Sequence, residues 1–121
     1  MQTIATVSVD DELAQARFTA LADPTRLAIL ALLRQRDHCV CHLVTELGLK
    51  QSVVSHHVGV LRRTGLVTSW PHATDRRWIY YRLDRAALQE MAGHLGWLLD
   101  DREYNTEPLP CAADEPRGGA A

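Results

Sequence analysis

Two thiols separated by a single residue are the most reactive feature of this 121-residue sequence. They lie in the segment His38-Cys39-Val40-Cys41-His42, near the predicted start of a short helix. Thiolates are soft ligands that select thiophilic ions over hard ones. Cys111 is the third cysteine of the chain. Because three cysteines cannot all pair, we interpret them as ligands or sensors rather than as a disulfide framework.

The spacing of Cys39 and Cys41 has a mechanical implication. Residues i and i+2 do not share a face of a regular helix. Holding one small ion with both thiols would therefore require the helix start to unwind or never to have formed. We expect this conflict to couple ion binding to the next helix along the chain. Proximity to a helix N-terminus is also expected to lower the pKa of the thiols.

The histidines on either side leave an alternative open. With Cys39 and Cys41, His38 and His42 could form a tetrahedral site for zinc or cadmium. Ligands so close in sequence disfavour one comfortable tetrahedron, so we predict that His38 is a solvated loop residue and His42 a helix-surface residue. A thiol redox or persulfide sensor that uses Cys111 is a further alternative. A thiol enzyme is disfavoured, because no Cys-x-x-Cys occurs on a βαβ pattern.

Charge is segregated along the chain although the net charge is only −2. Residues 50–85 hold seven Lys or Arg against two Asp or Glu, whereas residues 1–49 hold four against six and residues 86–121 hold two against seven. A basic middle between acidic ends is typical of a DNA-binding face on a soluble protein. No apolar run approaches a membrane span and the start lacks a signal-peptide pattern, so we expect a cytoplasmic protein without a membrane partner.

Capping signals and apolar periodicity predict five helices and one hairpin. The helices are expected near 12–22, 24–34, 41–47, 51–64 and 85–101, and the hairpin strands near 66–70 and 78–83. Asp10 or Asp11, then Asp23 and Asp84 are candidate N-caps, while Gly48 and Gly65 are placed to end helices. The two helices joined by a short turn after Gly48 are typical of a helix-turn-helix.

This order predicts a mainly α fold with a small β-hairpin, a winged helix-turn-helix with an added helix at each end. We expect three parts: a flexible N-terminus at 1–9, a DNA-binding and dimerisation domain at 10–101, and a flexible tail at 102–121 that carries Cys111. The last helix has an apolar stripe of Leu88, Met91, Leu95 and Leu98. We expect it to pack with the first helix against a second copy, giving a homodimer; an intramolecular core is the alternative.

The helix at 51–64 is the predicted DNA reader. Glutamine can pair with adenine, and serine can contact either bases or phosphates, while basic side chains contact phosphates and set the register. His57 is expected to be structural. A dimer would place two reading helices one turn of DNA apart, so the operator should be an imperfect palindrome. The candidate DNA-binding residues are Lys50, Gln51, Ser52, Ser55, His56, Arg62 and Arg63, with Arg76 and Arg77 at the hairpin tip.

Five segments, taken in order, resemble the signature segments of the ArsR/SmtB family of dimeric bacterial metal-responsive repressors, over about residues 12–100. They are Leu21-Ala22-Asp23-Pro24-Thr25-Arg26-Leu27-Ala28-Ile29-Leu30, Cys39-Val40-Cys41-His42-Leu43, Val54-Ser55-His56-His57-Val58, Leu61-Arg62-Arg63-Thr64-Gly65-Leu66-Val67 and Tyr80-Tyr81-Arg82-Leu83. The Cys-Val-Cys segment is similar to the arsenite- and antimonite-sensing branch.

The sequence also departs from that branch. His42 and Val44 stand where the family motif continues with an acidic residue and a third cysteine, and Lys50 stands where a serine often caps the reading helix. A zinc site on the last helix is disfavoured because His94 is the only histidine of that helix, with Asp100 and Asp101 at its end.

The resemblance implies a repressor, not an enzyme, that leaves its operator DNA when trivalent arsenic binds. The expected ligands are Cys39, Cys41 and Cys111, with Sb(III), Cd(II), Pb(II) and Zn(II) as alternative ions and no organic cofactor.

Overall fold

The computed structural model describes residues 11–111. The predicted flexible N-terminus at 1–9 and residues 112–121 of the predicted tail lie outside that range. Five helices and three strands follow one another along the described part. They are α1 (Glu12–Leu21), α2 (Pro24–Gln35), β1 (His38–Cys39), α3 (Val40–Leu47), α4 (Gln51–Arg63), β2 (Val67–Pro71), β3 (Ile79–Leu83) and α5 (Arg85–Leu99).

Local capping chemistry sets most of the helix bounds. The Asp11, Asp23 and Asp84 side chains accept hydrogen bonds from the first backbone N–H groups of α1, α2 and α5. Pro24 occupies the first position of α2, where a missing N–H costs nothing. Gly48 and Gly65 adopt positive φ angles of 66° and 78° directly after α3 and α4. These predicted helix ends are confirmed to within one or two residues.

The predicted hairpin is confirmed as β2 and β3, which pair antiparallel from Val67 opposite Leu83 to Pro71 opposite Ile79. The sheet has a third strand that the sequence analysis did not predict. β1 pairs with the other edge of β3, so that His38 lies opposite Tyr81 and Cys39 opposite Tyr80. The strand order is β1-β3-β2. A strand of two residues carries no periodic signal, and only its distant partner defines it.

One hydrophobic core joins α2, α3, α4 and the sheet. Its most completely buried side chains include Ile29, Leu43, Val54 and Leu61. The predicted apolar stripe of α4, which is Val54, Val58 and Leu61, is confirmed. The predicted apolar stripe of α5 is buried only in its first half: Met91 is buried, whereas Leu95 and Leu98 are 51% and 69% exposed. This leaves an apolar surface at the end of α5.

Within residues 11–111, no helix combines the length and the apolar character that a membrane crossing would require.

Candidate metal centre and nucleic-acid interface

The thiol corner, which we define as His38, Cys39, Cys41 and His42, lies where β1 turns into α3. Cys39 is extended, with φ −85° and ψ 168°, and serves as the N-cap residue of α3, whereas Cys41 lies in the first helical turn. Because Cys39 precedes the helix, the rule that residues i and i+2 diverge does not apply. The ligand atoms of Cys39, Cys41 and His42 all lie within 4.8 Å of one another. Of the two predicted possibilities, the structure agrees with the second, because the helix has not formed at Cys39 and no unwinding is needed to bring these atoms together.

The two thiols differ in exposure and interact with each other. Cys39 is buried and Cys41 is exposed. A side-chain hydrogen bond with Cys39, together with partial burial, raises the pKa of the Cys41 thiol above its ordinary value. The expectation of a lowered thiol pKa is wrong for Cys41, because the neighbouring sulfur outweighs the helix N-terminus. A thiophilic ion must therefore displace a proton to bind Cys41 as a thiolate.

His38 is not a solvated loop residue. It is only 8% exposed, because β1 places it against the sheet. Neither of its ring nitrogens has a hydrogen-bond partner among the described residues. Its ring meets that of His42 edge to face, with the ring centroids 6.0 Å apart. His42 is exposed on α3, which confirms its prediction as a helix-surface residue. The corner thus holds one buried and one exposed imidazole beside the two thiols.

An open cavity gives solvent access to the same side of α3. Its volume is about 290 Å³, and His42 lines it together with His72, Asp75, Trp78 and Tyr80. The His42 ring lies 6.4 Å from that of Tyr80, which stacks on Trp70 at 4.9 Å. An ion can therefore approach the exposed members of the thiol corner from outside the core.

Asp37 ties the thiol corner to the hairpin. It accepts hydrogen bonds from Trp70 Nε1 at 2.9 Å and from Arg82 Nε at 3.0 Å. Burial opposes its ionisation, but the Arg82 and Trp70 donors outweigh that effect and hold the pKa of Asp37 below its ordinary value. The residue directly before the thiol corner is therefore anchored to both hairpin strands. Sequence reasoning missed this contact, because an acidic residue in a polar loop gives no sign of partners so distant along the chain.

The candidate DNA-binding residues lie on an exposed surface of α4 and the hairpin. All nine of them are exposed, including Gln51, Ser55 and His56 on the reading helix. At the hairpin tip Arg77 pairs with Asp75 at 2.8 Å, which orients its guanidinium. At the start of α4 the Lys50 side chain makes no capping hydrogen bond. The first N–H groups of the reading helix therefore lack the serine cap that the family often has.

His57 faces the opposite way, toward the start of α2. Its Nδ1 accepts a hydrogen bond from an Arg26 guanidinium nitrogen at 3.0 Å, since arginine can only donate. The Arg26 Nε in turn donates to the Ala20 carbonyl oxygen at 2.7 Å. Asp23 lies 4.0 Å from His57 Nδ1 and caps α2. This reading-helix junction, which is Asp23, Arg26 and His57, has the structural character predicted for His57.

Cys111 does not lie at the thiol corner of its own subunit. It is exposed, in the segment that follows α5. Its sulfur does not belong to the group whose ligand atoms lie within 4.8 Å of one another. Of the three predicted thiol ligands, the structure brings together Cys39 and Cys41, and it adds His42.

Comparisons with known proteins agree with this architecture. Residues 23–69 match the family described as bacterial regulatory protein, arsR family. The arsenic resistance transcriptional regulator ArsR1 of Pseudomonas putida is 40% identical over 95 residues, which are 75% of this chain and 70% of that protein. The arsenical resistance operon repressor of Escherichia coli is 40% identical over 67 residues, which are 54% of this chain but only 55% of that repressor.

A solved structure extends the similarity to the fold. An ArsR-like transcriptional regulator from Rhodococcus sp. RHA1 superposes with a TM-score of 0.64 at 30% identity, over 71% of this chain and 78% of that one. The order of helices and strands, the exposed reading helix and these matches together confirm the resemblance seen in the sequence. The chain belongs to the ArsR family of bacterial DNA-binding transcriptional regulators, which are not enzymes.

Proposed function

We propose that this protein is a homodimeric repressor that leaves its operator when trivalent arsenic binds Cys39, Cys41 and Cys111. The observation that carries the proposal is the approach of two thiols within 4.8 Å at the junction of β1 and α3. Soft thiolates in such an arrangement favour a thiophilic ion. Relatives named for arsenic resistance support arsenic among the candidate ions. Antimony, cadmium, lead and zinc are the other ions that thiolates would accept.

Trivalent arsenic favours three sulfurs in a pyramid, and the thiol corner supplies two of them. Cys111 is the remaining thiol of the chain. The entropic cost of closing a flexible loop rises only slowly with its length. The segment after α5 can therefore deliver this sulfur at modest cost, in its own subunit or in the partner. Bringing Cys111 to the corner would also add chain at the surface beside α3.

Two routes connect the thiol corner to DNA-binding elements. α3 packs directly against the reading helix α4. β1 pairs with β3, and Asp37 bonds to Trp70 and Arg82 on the hairpin. An ion that pulls Cys39 and Cys41 onto itself acts on the end of β1 and the first turn of α3 together. We expect this displacement to change the angle between the reading helix and the hairpin, and so to weaken operator binding.

The DNA interface that we propose is double-stranded operator DNA against α4 and the hairpin tip. Gln51, Ser52, Ser55 and His56 face the major groove, where glutamine and serine can read base edges. The uncapped N–H groups at the start of α4 suit a phosphate oxygen. The phosphate contacts are Lys50, Arg62 and Arg63 on the reading helix, with Arg76 and Arg77 on the hairpin.

A homodimer is supported by the apolar surface at the end of α5. Leu95 and Leu98 are exposed in the single chain, as is Leu13 on the neighbouring α1. Burying such side chains against a second copy would stabilise the protein by roughly 25 cal/mol for each Å² of apolar surface covered. Two reading helices related by a two-fold axis would then require an operator that is an imperfect palindrome.

The decisive experiment measures operator binding by fluorescence anisotropy with and without arsenite, for the parent and for Cys39→Ser, Cys41→Ser and Cys111→Ser. We expect every variant to bind DNA within a factor of about three of the parent, since the thiols lie off the DNA surface. Each of the first two variants loses one of the three proposed sulfur ligands and breaks the thiol pair of the thiol corner, so both should ignore arsenite. Cadmium and an oxidant serve as comparison additions, and a matched Thr45→Ser variant on the exposed surface of α3 should behave like the parent.

Normal arsenite release by Cys39→Ser or Cys41→Ser would contradict the proposed site. Release by the oxidant without arsenite would favour a thiol redox sensor instead. Normal release by Cys111→Ser would remove that residue from the ligand set while leaving the two-thiol site in place.

A further inference from the structure

We infer that the thiol corner also forms a complete four-ligand site for zinc, made by Cys39, Cys41, His42 and His38 without Cys111. The inference rests on the proposed role of this corner as the ion-binding site, but not on arsenic as the ion. It assigns the two histidines, which the arsenic site does not use. The inference also separates two classes of ion that the thiol corner could bind: zinc would use two sulfurs, and trivalent arsenic would use three.

The first observation is the spacing of three donor atoms. The sulfurs of Cys39 and Cys41 and a ring nitrogen of His42 lie within 4.8 Å of one another. Around a tetrahedral zinc, bond lengths of about 2.3 Å to sulfur and about 2.0 Å to nitrogen place neighbouring donor atoms about 3.4 to 3.8 Å apart. The three side chains are therefore about 1 Å from a ligating arrangement, which small rotations about their side-chain bonds can supply.

The second observation is independent and concerns His38. Its side chain is more than nine-tenths buried, and neither ring nitrogen has a partner among the described residues. Buried polar groups are nearly always bonded, and an unbonded one calls for a missing water or ion. The His38 ring stands 6.0 Å from that of His42, at an interplanar angle of 82°. Two imidazoles on one tetrahedral zinc have centroids about 5 Å apart. His38 lies outside the group of three donors within 4.8 Å of one another, so its ring would have to approach that of His42 by about 1 Å to complete the site.

The donor set then selects the charge and geometry of the ion. Two thiolates neutralise a divalent cation, and two neutral imidazoles complete a closed tetrahedron of the kind found in structural zinc sites. Trivalent arsenic gains little from imidazole and needs a third sulfur from elsewhere. Zinc should therefore close the corner within β1 and α3, whereas arsenite should recruit Cys111. Cadmium shares the zinc donor set and serves as a softer analogue.

The test uses the reduced full-length protein and two probes, Zn²⁺ in competition with a chromophoric chelator and Co²⁺ as a spectroscopic substitute. Cys111→Ser should bind one Zn²⁺ per chain as tightly as the parent. Its Co²⁺ form should show the absorption of a tetrahedral site with thiolate charge-transfer bands. His42→Gln and His38→Leu should each weaken Zn²⁺ binding by at least about tenfold, the scale of losing a supporting group at a metal site. His94→Gln on α5 is the matched control and should change nothing.

His42 is exposed, so its variant is expected to fold even if His38→Leu does not; circular dichroism of both metal-free variants checks this. Zinc affinity unchanged by either histidine substitution would overturn the four-ligand site, as would loss of zinc binding in Cys111→Ser. The outcome is separable from the proposed function. If zinc binding depends on the histidines but arsenite does not release the DNA, arsenic sensing is contradicted and the four-ligand zinc site stands. If arsenite releases the DNA but zinc binding does not depend on the histidines, the zinc site is contradicted and arsenic sensing stands.

Discussion

Two pairs of neighbouring histidine rings have similar spacing but differ in hydrogen bonding: one pair contains a ring nitrogen that the protein bonds, and the other contains a buried ring without a partner among the described residues. His56 and His57 on α4 meet with ring centroids 5.1 Å apart, and His38 and His42 meet at 6.0 Å. At the reading-helix junction His57 accepts from Arg26, whose own Nε is satisfied by the Ala20 carbonyl. In the thiol corner the buried His38 has no partner for either nitrogen among the described residues. His57 of the first pair is bonded by the protein through Nδ1, whereas the buried His38 of the second pair retains bonding capacity for an ion.

The contacts of His57 explain how the reading helix is held in place. Asp23 caps α2 and lies near His57, and the backbone N–H of Arg26 is the main reason why the pKa of the Asp23 carboxyl lies below its ordinary value. These contacts fix the start of α2 against the middle of α4. The junction thus joins α2 to α4 near one end of α2, while the thiol corner lies beyond the other end.

The largest expected effect on stability comes from breaking the hydrogen bonds of the reading-helix junction. Arg26→Met removes the donors to both the Ala20 carbonyl and His57 Nδ1, which leaves two partly buried acceptors unbonded. We expect the free energy of unfolding to fall by about 2 kcal/mol, in the range for hydrogen bonds made by a charged group. Urea denaturation followed by circular dichroism measures this loss. Zinc affinity should stay at the parent value, because the thiol corner is not touched; a matching fall in zinc affinity would mean that the two regions are not independent.

A smaller effect, of opposite sign, is expected at the thiol corner. His38→Leu replaces an unbonded buried imidazole by an apolar side chain of similar size, so the metal-free protein should gain about 1 kcal/mol of unfolding free energy. The same substitution at His57 breaks a bond that the protein makes and should destabilise it. Paired urea denaturation curves with a chelator present compare the two variants. Equal losses at both positions would show that His38 is satisfied in solution and would remove the contrast.

The smallest effect concerns the link between the thiol corner and the hairpin. The pKa of Asp37 is lowered in the folded state, so its contribution to stability is present above the unfolded pKa of about 3.9 and is lost as the pH falls through the folded value. Because the Arg82 side chain is 61% exposed, Asp37→Asn should cost no more than about 1 kcal/mol at pH 7. Unfolding free energies at pH 7 and pH 3 should differ less in the variant than in the parent. A parallel pH dependence would mean that the Asp37 contacts do not persist in solution.

Sequence reasoning was accurate where structure is determined locally. The caps at Asp23 and Asp84, the glycine ends of α3 and α4 and the buried stripe of α4 depend on residues within one or two helical turns, and all are confirmed. The exposed position of the reading-helix side chains followed from the same periodicity. The ArsR resemblance is likewise confirmed, because the family model matches residues 23–69 and ArsR1 of Pseudomonas putida matches over 95 residues.

The thiol corner was less predictable because its geometry is determined at long range. The sequence places Cys39 at a helix start, and it is indeed the N-cap residue of α3. The prediction of a solvated loop for His38 is wrong, because pairing with β3 makes both residues extended and buried. The Asp37 contacts with Trp70 and Arg82 are also distant in sequence. Residue types alone predicted Cys39 and Cys41 as ligands, but only the tertiary structure shows that their sulfurs lie within 4.8 Å of each other without unwinding α3.

The short strand β1 has one consequence for the proposed ion site. Its two residues owe their conformation to Tyr80 and Tyr81 on another strand. An excised peptide carrying the same thiols and imidazoles would possess every donor atom and none of the preorganisation. Transferring the proposed ion site into another regulator would therefore require moving its distant β-strand partner as well, so the unit to be transferred would be a strand pair rather than a linear stretch of sequence.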